Sequence, residues 1–406
     1  MTNEENRVPL YQAEKPTIPA SVTHATPLDA LNLNWREREL PERERTKHVH
    51  RLHPYLGKFI PQLVEVFLRK FFSPGQTVLD PFMGSGTTLV QANELGIHSI
   101  GCDISAFNVL LCRTKTAIYD LKQVRAEVLD VLHKTRSATR NGPFQLPLFP
   151  ELLGDRSVAQ TIDSYLLDWY SRQALYELLT YRDIVAQGNY RYKDLLNVIL
   201  SRSARSARLT THFDLDFPKR PQTEPYWCYK HSRTCQPTTE AYKFLERYGL
   251  DSLTRIEKFK AKQTLAKVRI YHEDSRIQDF GPIDGVLTSP PYVGLIDYHE
   301  QHAYAYHLLG LEDRREEEIG RASTGVGKNA KRLYQDAVAQ VFQNAASNIK
   351  SGGRIIVVAA DKAELYGEIA QKVNLDVEHV VQRHVNRRTG RRAGEFYESI
   401  FVWRKR

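Results

Sequence analysis

Polar and apolar positions along the chain fall into distinct regimes. After Pro61, the residues Leu63, Val66, Phe67 and Phe71 recur at three- and four-residue intervals, a spacing that predicts a helix with one apolar face. A turn at Ser73-Pro74-Gly75 leads into a short apolar run at Thr77–Leu79, a glycine-bearing loop, and a helical stretch over Thr87–Leu95 stopped by Gly96. A second run, Ser99–Cys102, ends on Asp103. That order predicts a β-α-β unit, with parallel strands and a right-handed crossover. Residues 119–265 change rhythm: helical patterns such as "VRAEVLDVLHKT" and "DSYLLDWYSRQALYELLTYRDIVA" dominate, broken by the Pro- and Gly-rich "NGPFQLPLFPELLG". Strand and helix alternate again from "AKVRIYHEDS" through "IDGVLTSPPY", "GGRIIVVAAD", "LYGEIAQKV" and "VEHVVQRHV" to "YESIFVWRK". The first 48 residues are polar, carry both charge signs in "WRERELPERERTKH", and read as a solvated arm. The pattern predicts a doubly wound α/β domain with a large, mainly helical insertion between its second and third strands. Its expected parts are a polar arm (1–48), a ligand-binding first part of the core (49–125), a basic helical insertion read as the region that recognises the target (126–265) and a second part of the core carrying the chemistry (266–406).

Composition narrows the partners. Of the 406 residues 41% are hydrophobic and 26% charged, as in a globular protein, and the formal net charge of +9 favours a polyanionic partner such as nucleic acid. No apolar run approaches the length of about 18 residues that a membrane helix needs, and the polar start does not resemble a signal peptide. Four cysteines without dense spacing argue against a disulfide framework and fit a reducing compartment. A cytoplasmic, nucleic-acid-directed protein is the expectation.

The loop Asp80-Pro81-Phe82-Met83-Gly84-Ser85-Gly86 follows a strand and opens a helix, where glycines let the backbone turn tightly and approach a ligand. A phosphate-binding P-loop would need a Gly-Lys-Ser/Thr end, which is absent. A nicotinamide site would prefer a third glycine where Leu89 stands, although Asp103 lies at the right spacing for a ribose hydroxyl. S-adenosylmethionine, ribose-bearing but without pyrophosphate, tolerates that difference; an ordinary structural turn is the remaining reading.

The second motif, Thr288-Ser289-Pro290-Pro291-Tyr292, sits at the end of a strand, and strand ends of an open parallel sheet point into the ligand crevice. Two prolines fix φ and remove N–H donors, so backbone carbonyls and the Ser289 hydroxyl are held as acceptors. Tyr292 adds a ring on which a base can stack. Together they suit a planar amino group on a nucleobase.

With both motifs in these contexts, "DPFMGSG" and "TSPPY", the sequence resembles the DNA amino-methyltransferases, which transfer methyl from S-adenosylmethionine to cytosine N4 or adenine N6. The resemblance covers roughly residues 50–118 and 266–406 and implies their Rossmann-like sheet with a final antiparallel strand. It implies that Asp80, Pro81, Phe82, Gly84 and Gly86 belong to the cofactor loop, and that Lys58 and Phe59 of "HPYLGKF" line the methionine end. Asp103, with Ile104, takes the ribose, and Asp274-Ser275 lies near the adenine ring. Ser289, Pro290, Pro291 and Tyr292 form the catalytic loop, Ser289 and the Pro290 carbonyl accepting the amino hydrogens while Tyr292 stacks. A base in duplex DNA must be flipped to reach such a pocket. No Pro-Cys pair occurs, which excludes methylation at cytosine C5. Serine at the first motif position points to cytosine N4, whereas the motif order is more familiar among adenine enzymes; cytosine N4 is preferred. An RNA or protein-amide methyltransferase and a non-catalytic DNA-binding protein are the alternatives. The resemblance implies a cognate restriction endonuclease acting on the same site as a partner; no membrane is expected, and a monomer is expected.

The insertion carries the charge. Between Ser201 and Ile270 stand 15 Lys and Arg against 7 Asp and Glu, and Arg202, Arg205 and Arg208, three apart, predict one basic stripe for phosphates. A second basic run contains Arg383, Arg387, Arg388, Arg391 and Arg392, expected beside the crevice and in phosphate contact. Cys228, His231 and Cys235 have the metal-like spacing Cys-x2-His-x3-Cys, but structural zinc wants a fourth ligand. None stands nearby in sequence, although His212 could fold back, so no metal is assigned. His299 and His302 are expected to line the base pocket or pack, not to bind metal.

Overall fold

The computed structural model describes residues 7–8, 15–140, 163–212, 214–215, 218–294, 296–385 and 397–406. Among them are the strands β1 (Arg7–Val8), β2 (Thr77–Asp80), β3 (His98–Asp103), β4 (Tyr226–Cys228), β5 (Arg233–Cys235), β6 (Val268–His272), β7 (Ile283–Thr288), β8 (Ile349–Ala359), β9 (Leu375–His384) and β10 (Tyr397–Lys405). Eight of these form one sheet in the order β1-β9-β10-β8-β7-β2-β3-β6. Strands β6, β3, β2, β7 and β8 are parallel neighbours, and β10 runs antiparallel to both β8 and β9. The chain leaves β2 toward β3 and β6 on one side and returns to β7 on the other. The switch point, where ligands bind in open α/β sheets, therefore lies at the carboxyl ends of β2 and β7.

Alternation along the strands assigns the two faces. Val78, Leu287, Ile356 and Val358 pack with Leu63, Phe67 and Leu68 of the helix α1 (Pro61–Phe71). Leu79, Val286, Ile355 and Val357 pack on the other face, against a cluster that includes Tyr334, Val338 and Phe342. Strands covered on both sides need apolar residues at every position, which is why they read as continuous apolar runs.

Two expectations fail. The arm is not solvated over its described length: Val22, Leu28, Leu31 and Leu33 are buried in the same cluster as α1, and Asn34 accepts from the His384 backbone N–H at 2.6 Å. Its charges had masked four well-spaced apolar anchors. The exposed arginine stripe expected on the insertion is not formed either. The insertion's helices α4 (Leu121–Thr139), α5 (Arg172–Gln187), α6 (Lys193–Ala207) and α7 (Tyr242–Lys260) share one core with α3 (Ala106–Thr116), which follows β3, and with α8 (Ala303–Leu309), which follows the proline loop. The three-residue spacing does keep arginines on one side of α6, but that side is packed. Arg202 is buried, bonded to Asp251 at 2.6 Å and stacked 4.1 Å over Tyr248. Arg208, just beyond α6, is buried as well; it lies 4.6 Å over Tyr304 and donates to the Leu215 carbonyl. Arg205 is partly buried. No exposed phosphate stripe is formed by these residues, because a guanidinium with a partly buried carboxylate and aromatic faces is as well placed inside a bundle as on DNA.

Candidate active site

Strand pairing sets the two motifs side by side. Val78 and Leu79 of β2 register with Gly285 and Val286 of β7, so Asp80 and Thr288 end their strands together. The Thr288 hydroxyl donates to Asp80 Oδ1 at 2.6 Å. The Phe82 backbone N–H donates to the same oxygen, and Asp80 Oδ2 is buried with no partner among the described residues. Burial raises the Asp80 pKa to about 6 against the pull of these hydrogen bonds.

The glycine loop turns with left-handed backbone at Gly84 (φ 46°) and Gly86 (φ 75°). A Cβ on Gly86 would stand 2.8 Å from Cys112 Sγ, so a larger residue is refused by contact as well as by φ. Asp103, at the end of β3, closes the loop from below: Oδ2 accepts from the Gly84 N–H (2.9 Å) and Asn108 Nδ2 (3.1 Å), Oδ1 from the Ser105 N–H (2.9 Å). Burial raises its pKa. Lys115, fully buried, donates to the Ser85 carbonyl at 2.6 Å, and burial lowers its pKa to about 7. Ser275 donates to the Pro81 carbonyl at 2.6 Å. Asp274, which burial alone would push up, is held below the usual range by the Arg276 fork at 2.6–3.0 Å.

One cavity unites these groups. Of the predicted residues, Lys58, Phe59, Pro81, Phe82, Gly84, Asp103, Ile104, Asp274, Ser275, Ser289 and Pro291 line it. Asp80, Gly86, Pro290 and Tyr292 stand behind or beside the wall. Lys58 turns its amine away, donating to the His50 carbonyl at 2.9 Å, and burial lowers its pKa to about 8. Neither the Ser289 hydroxyl nor the Pro290 carbonyl has a hydrogen-bonding partner among the described residues, whereas the Pro291 carbonyl accepts from Tyr334 at 2.9 Å. The rigid loop thus leaves the Ser289 hydroxyl, on a residue that lines the cavity, without an internal partner.

Sequence reading missed Tyr55, Asn108, Tyr298, Glu317 and Glu318, which also line the cavity. The Tyr55 and Tyr298 rings stack at 5.7 Å, and Glu318 accepts from the Tyr298 and His299 backbone N–H groups and binds the His299 ring. Tyr298 opens the helix Tyr298–Gln301, and its place at the start of the helical segment expected from about 298, beside the proline loop, was the signal available for it. His302 stacks on Tyr55 and Phe107, and burial lowers its pKa to about 3, so this histidine pair packs as expected.

The second basic cluster needs correction at the residue described. Arg383 is buried and donates to Glu398 Oε2 through Nε (2.8 Å) and Nη2 (2.6 Å); Glu398 Oε1 accepts from the Tyr292 hydroxyl at 3.1 Å. Arg383 therefore braces the ring expected to stack on the base and does not face phosphate. Arg387, Arg388, Arg391 and Arg392 lie outside the described residues.

A mixed sheet with an antiparallel last strand, a glycine loop after its first parallel strand and a proline loop across the switch point is the Rossmann-like methyltransferase fold. Residues 19–111 match the family model described as DNA methylase. The chain is 37% identical over 430 aligned positions to the type II methyltransferase M.MjaII of Methanocaldococcus jannaschii, covering 89% of this chain and 81% of that one. It is 23% identical to the type II methyltransferase M.BsoBI of Geobacillus stearothermophilus, over 68% of this chain and 56% of the relative. The chain belongs to the DNA amino-methyltransferase family.

Proposed function

We propose that the protein methylates one exocyclic amino group, at cytosine N4, of a flipped base at a fixed DNA site, as the modification enzyme of a restriction–modification pair. The observation that carries this reading is Ser289, whose hydroxyl has no partner among the described residues and which lines the same cavity as Asp103 and the glycine loop. Serine, in place of a carboxylate or amide at the motif's first position, supports cytosine.

The donor set suits S-adenosylmethionine. Unpartnered Asp80 Oδ2 is a buried acceptor beside the loop, the Asp103 carboxylate in the cavity lining is an acceptor of the kind a ribose hydroxyl needs, and the acidic lining of Asp103, Asp274 and Glu318 favours a cationic ligand. When bound, it supplies an electrophilic methyl group on a sulfonium. The chain's own part is placement and charge: Ser289 and Pro290 accept the amino hydrogens, and so stabilise the positive charge that grows on nitrogen before its proton is lost. Tyr292 holds the base plane.

Within the insertion, we infer a DNA surface other than the arginines of α6. Exposed aromatics and cations of the insertion gather on the β4–β5 hairpin, where Trp227 and Tyr229 are 56% and 85% exposed beside exposed Lys230 and Arg233. Stacking and phosphate contact both fit this edge. Replacing Trp227 and Arg233 together by alanine is expected to weaken DNA binding at least about tenfold and to flatten its dependence on salt by about one contact. An unchanged salt slope in fluorescence-anisotropy titrations would remove the hairpin from the interface.

The reading as a whole is tested by expressing the protein in a host without its own DNA methylation and sequencing that genome for modified bases. N4-methylcytosine in one sequence context is expected. N6-methyladenine would correct the base, and unmodified DNA from soluble, cofactor-binding protein would move the substrate to RNA or protein.

A further inference from the structure

We propose that His212, Cys228, His231 and Cys235 form a structural zinc site that organises the β4–β5 hairpin. The side-chain ligand atoms of these four residues all lie within 4.8 Å of one another. Cys228 Sγ is 3.5 Å from His212 Nδ1 and 3.6 Å from His231 Nδ1, and Cys235 Sγ is 3.5 Å from His231 Nδ1. Tetrahedral zinc, with Zn–S near 2.3 Å and Zn–N of 2.0–2.1 Å, separates a sulfur from a nitrogen ligand by about 3.6 Å. All three measured edges match that tetrahedron.

Hydrogen bonding among the same groups explains them less well. His231 Nδ1 faces two sulfurs at once, but one imidazole nitrogen offers a single lone pair or a single proton. The Tyr226 hydroxyl, 2.9 Å from His212 Nδ1, also accepts from the His212 backbone N–H at 3.1 Å. That contact holds the fourth ligand in place, and a bound ion would take over its Nδ1 half. The hairpin itself is tied for the purpose: β4 and β5 pair antiparallel, His231 N–H closes a turn onto the Cys228 carbonyl at 3.1 Å, and Ser232 takes a left-handed φ of 50°.

The segment also lacks a core of its own. Over residues 218–240 the only buried side chains are Cys228 and Cys235, and neither belongs to any apolar cluster of the core. Two three-residue strands have no core with which to hold a shape. Small units without a core are held by disulfides or metals. All four cysteines of the chain are free thiols, which leaves the metal. Two sulfurs and two imidazoles in a closed tetrahedron select zinc, and binding releases the thiol protons as the thiolates ligate. His212 follows α6 and the other three ligands come from the hairpin, so the ion would pin the exposed aromatic and basic edge to the helical insertion.

The test uses the full chain, purified in reducing buffer without chelator, with metals quantified by mass spectrometry. About one zinc per chain is expected. Cys228→Ser and His212→Ala should lose it, while Tyr229→Ala, on the same turn, should keep it. Cobalt exchanged into the unmutated chain should give thiolate charge-transfer absorption and tetrahedral d–d bands, a readout that does not depend on any variant folding. A metal-free chain whose Cys228 and Cys235 are both titratable thiols, a Cys228–Cys235 disulfide, zinc that survives Cys228→Ser, or cobalt without thiolate bands would each overturn the site.

Discussion

Replacing Ser289 by alanine is expected to lower the methylation rate constant by about 100-fold, with cofactor affinity and thermal unfolding nearly unchanged. The hydroxyl lines the cavity, has no partner among the described residues, and so can be removed without stranding a neighbour. Its use comes when the amino nitrogen gains positive charge and its hydrogens become stronger donors. An interaction that strengthens toward the transition state is read in kcat more than in KM. Single-turnover kinetics beside a cofactor titration would separate the two; a rate within about threefold of the parent would remove Ser289 from the catalytic loop.

A second large effect is expected at Arg383. Arg383→Ala would leave the Glu398 carboxylate, whose side chain is 9% exposed, with its main counter-charge gone. Breaking a buried pair from one side costs about 3–5 kcal/mol, which denaturant unfolding can measure. Because Glu398 also accepts from Tyr292, the loss should spread to the catalytic loop and lower the rate. The double variant Arg383→Met, Glu398→Leu tests the assignment more finely, since an apolar pair of similar volume need not destabilise. Recovered stability with a rate still low would show that the pair positions Tyr292, whereas recovery of both would make it a packing pair alone. A stability loss under about 1 kcal/mol for the single variant would contradict the buried pairing itself.

What was readable from the chain follows from what is local. The helix α1 and the strand–loop–helix–strand around "DPFMGSG" each have a period or a glycine that acts within a few residues, and both appear where expected. Arg202, Arg205 and Arg208 show the opposite case. Arg202 and Arg205 do lie on α6, with Arg208 just past its end, but no local signal says whether such a face meets water or, as at Arg202, Asp251 and Tyr248, which lie more than forty residues away. Arg383 misled in the same way, read from its basic neighbours when its partner sits on β10. Tyr55, Asn108 and Glu318 were passed over because each looks ordinary until the fold brings it to the cavity.

By itself, then, the sequence determined the fold class and the family motifs, because strand periodicity, glycine φ and proline rigidity are properties of short segments. The tertiary structure alone decided that Asp80 meets Thr288, that the insertion shares its core with the catalytic half, and that His212 reaches the Cys228–Cys235 hairpin. Those contacts join residues distant along the chain, and which of two compatible charged or metal-ligating partners meet is set by the packing of whole helices and strands.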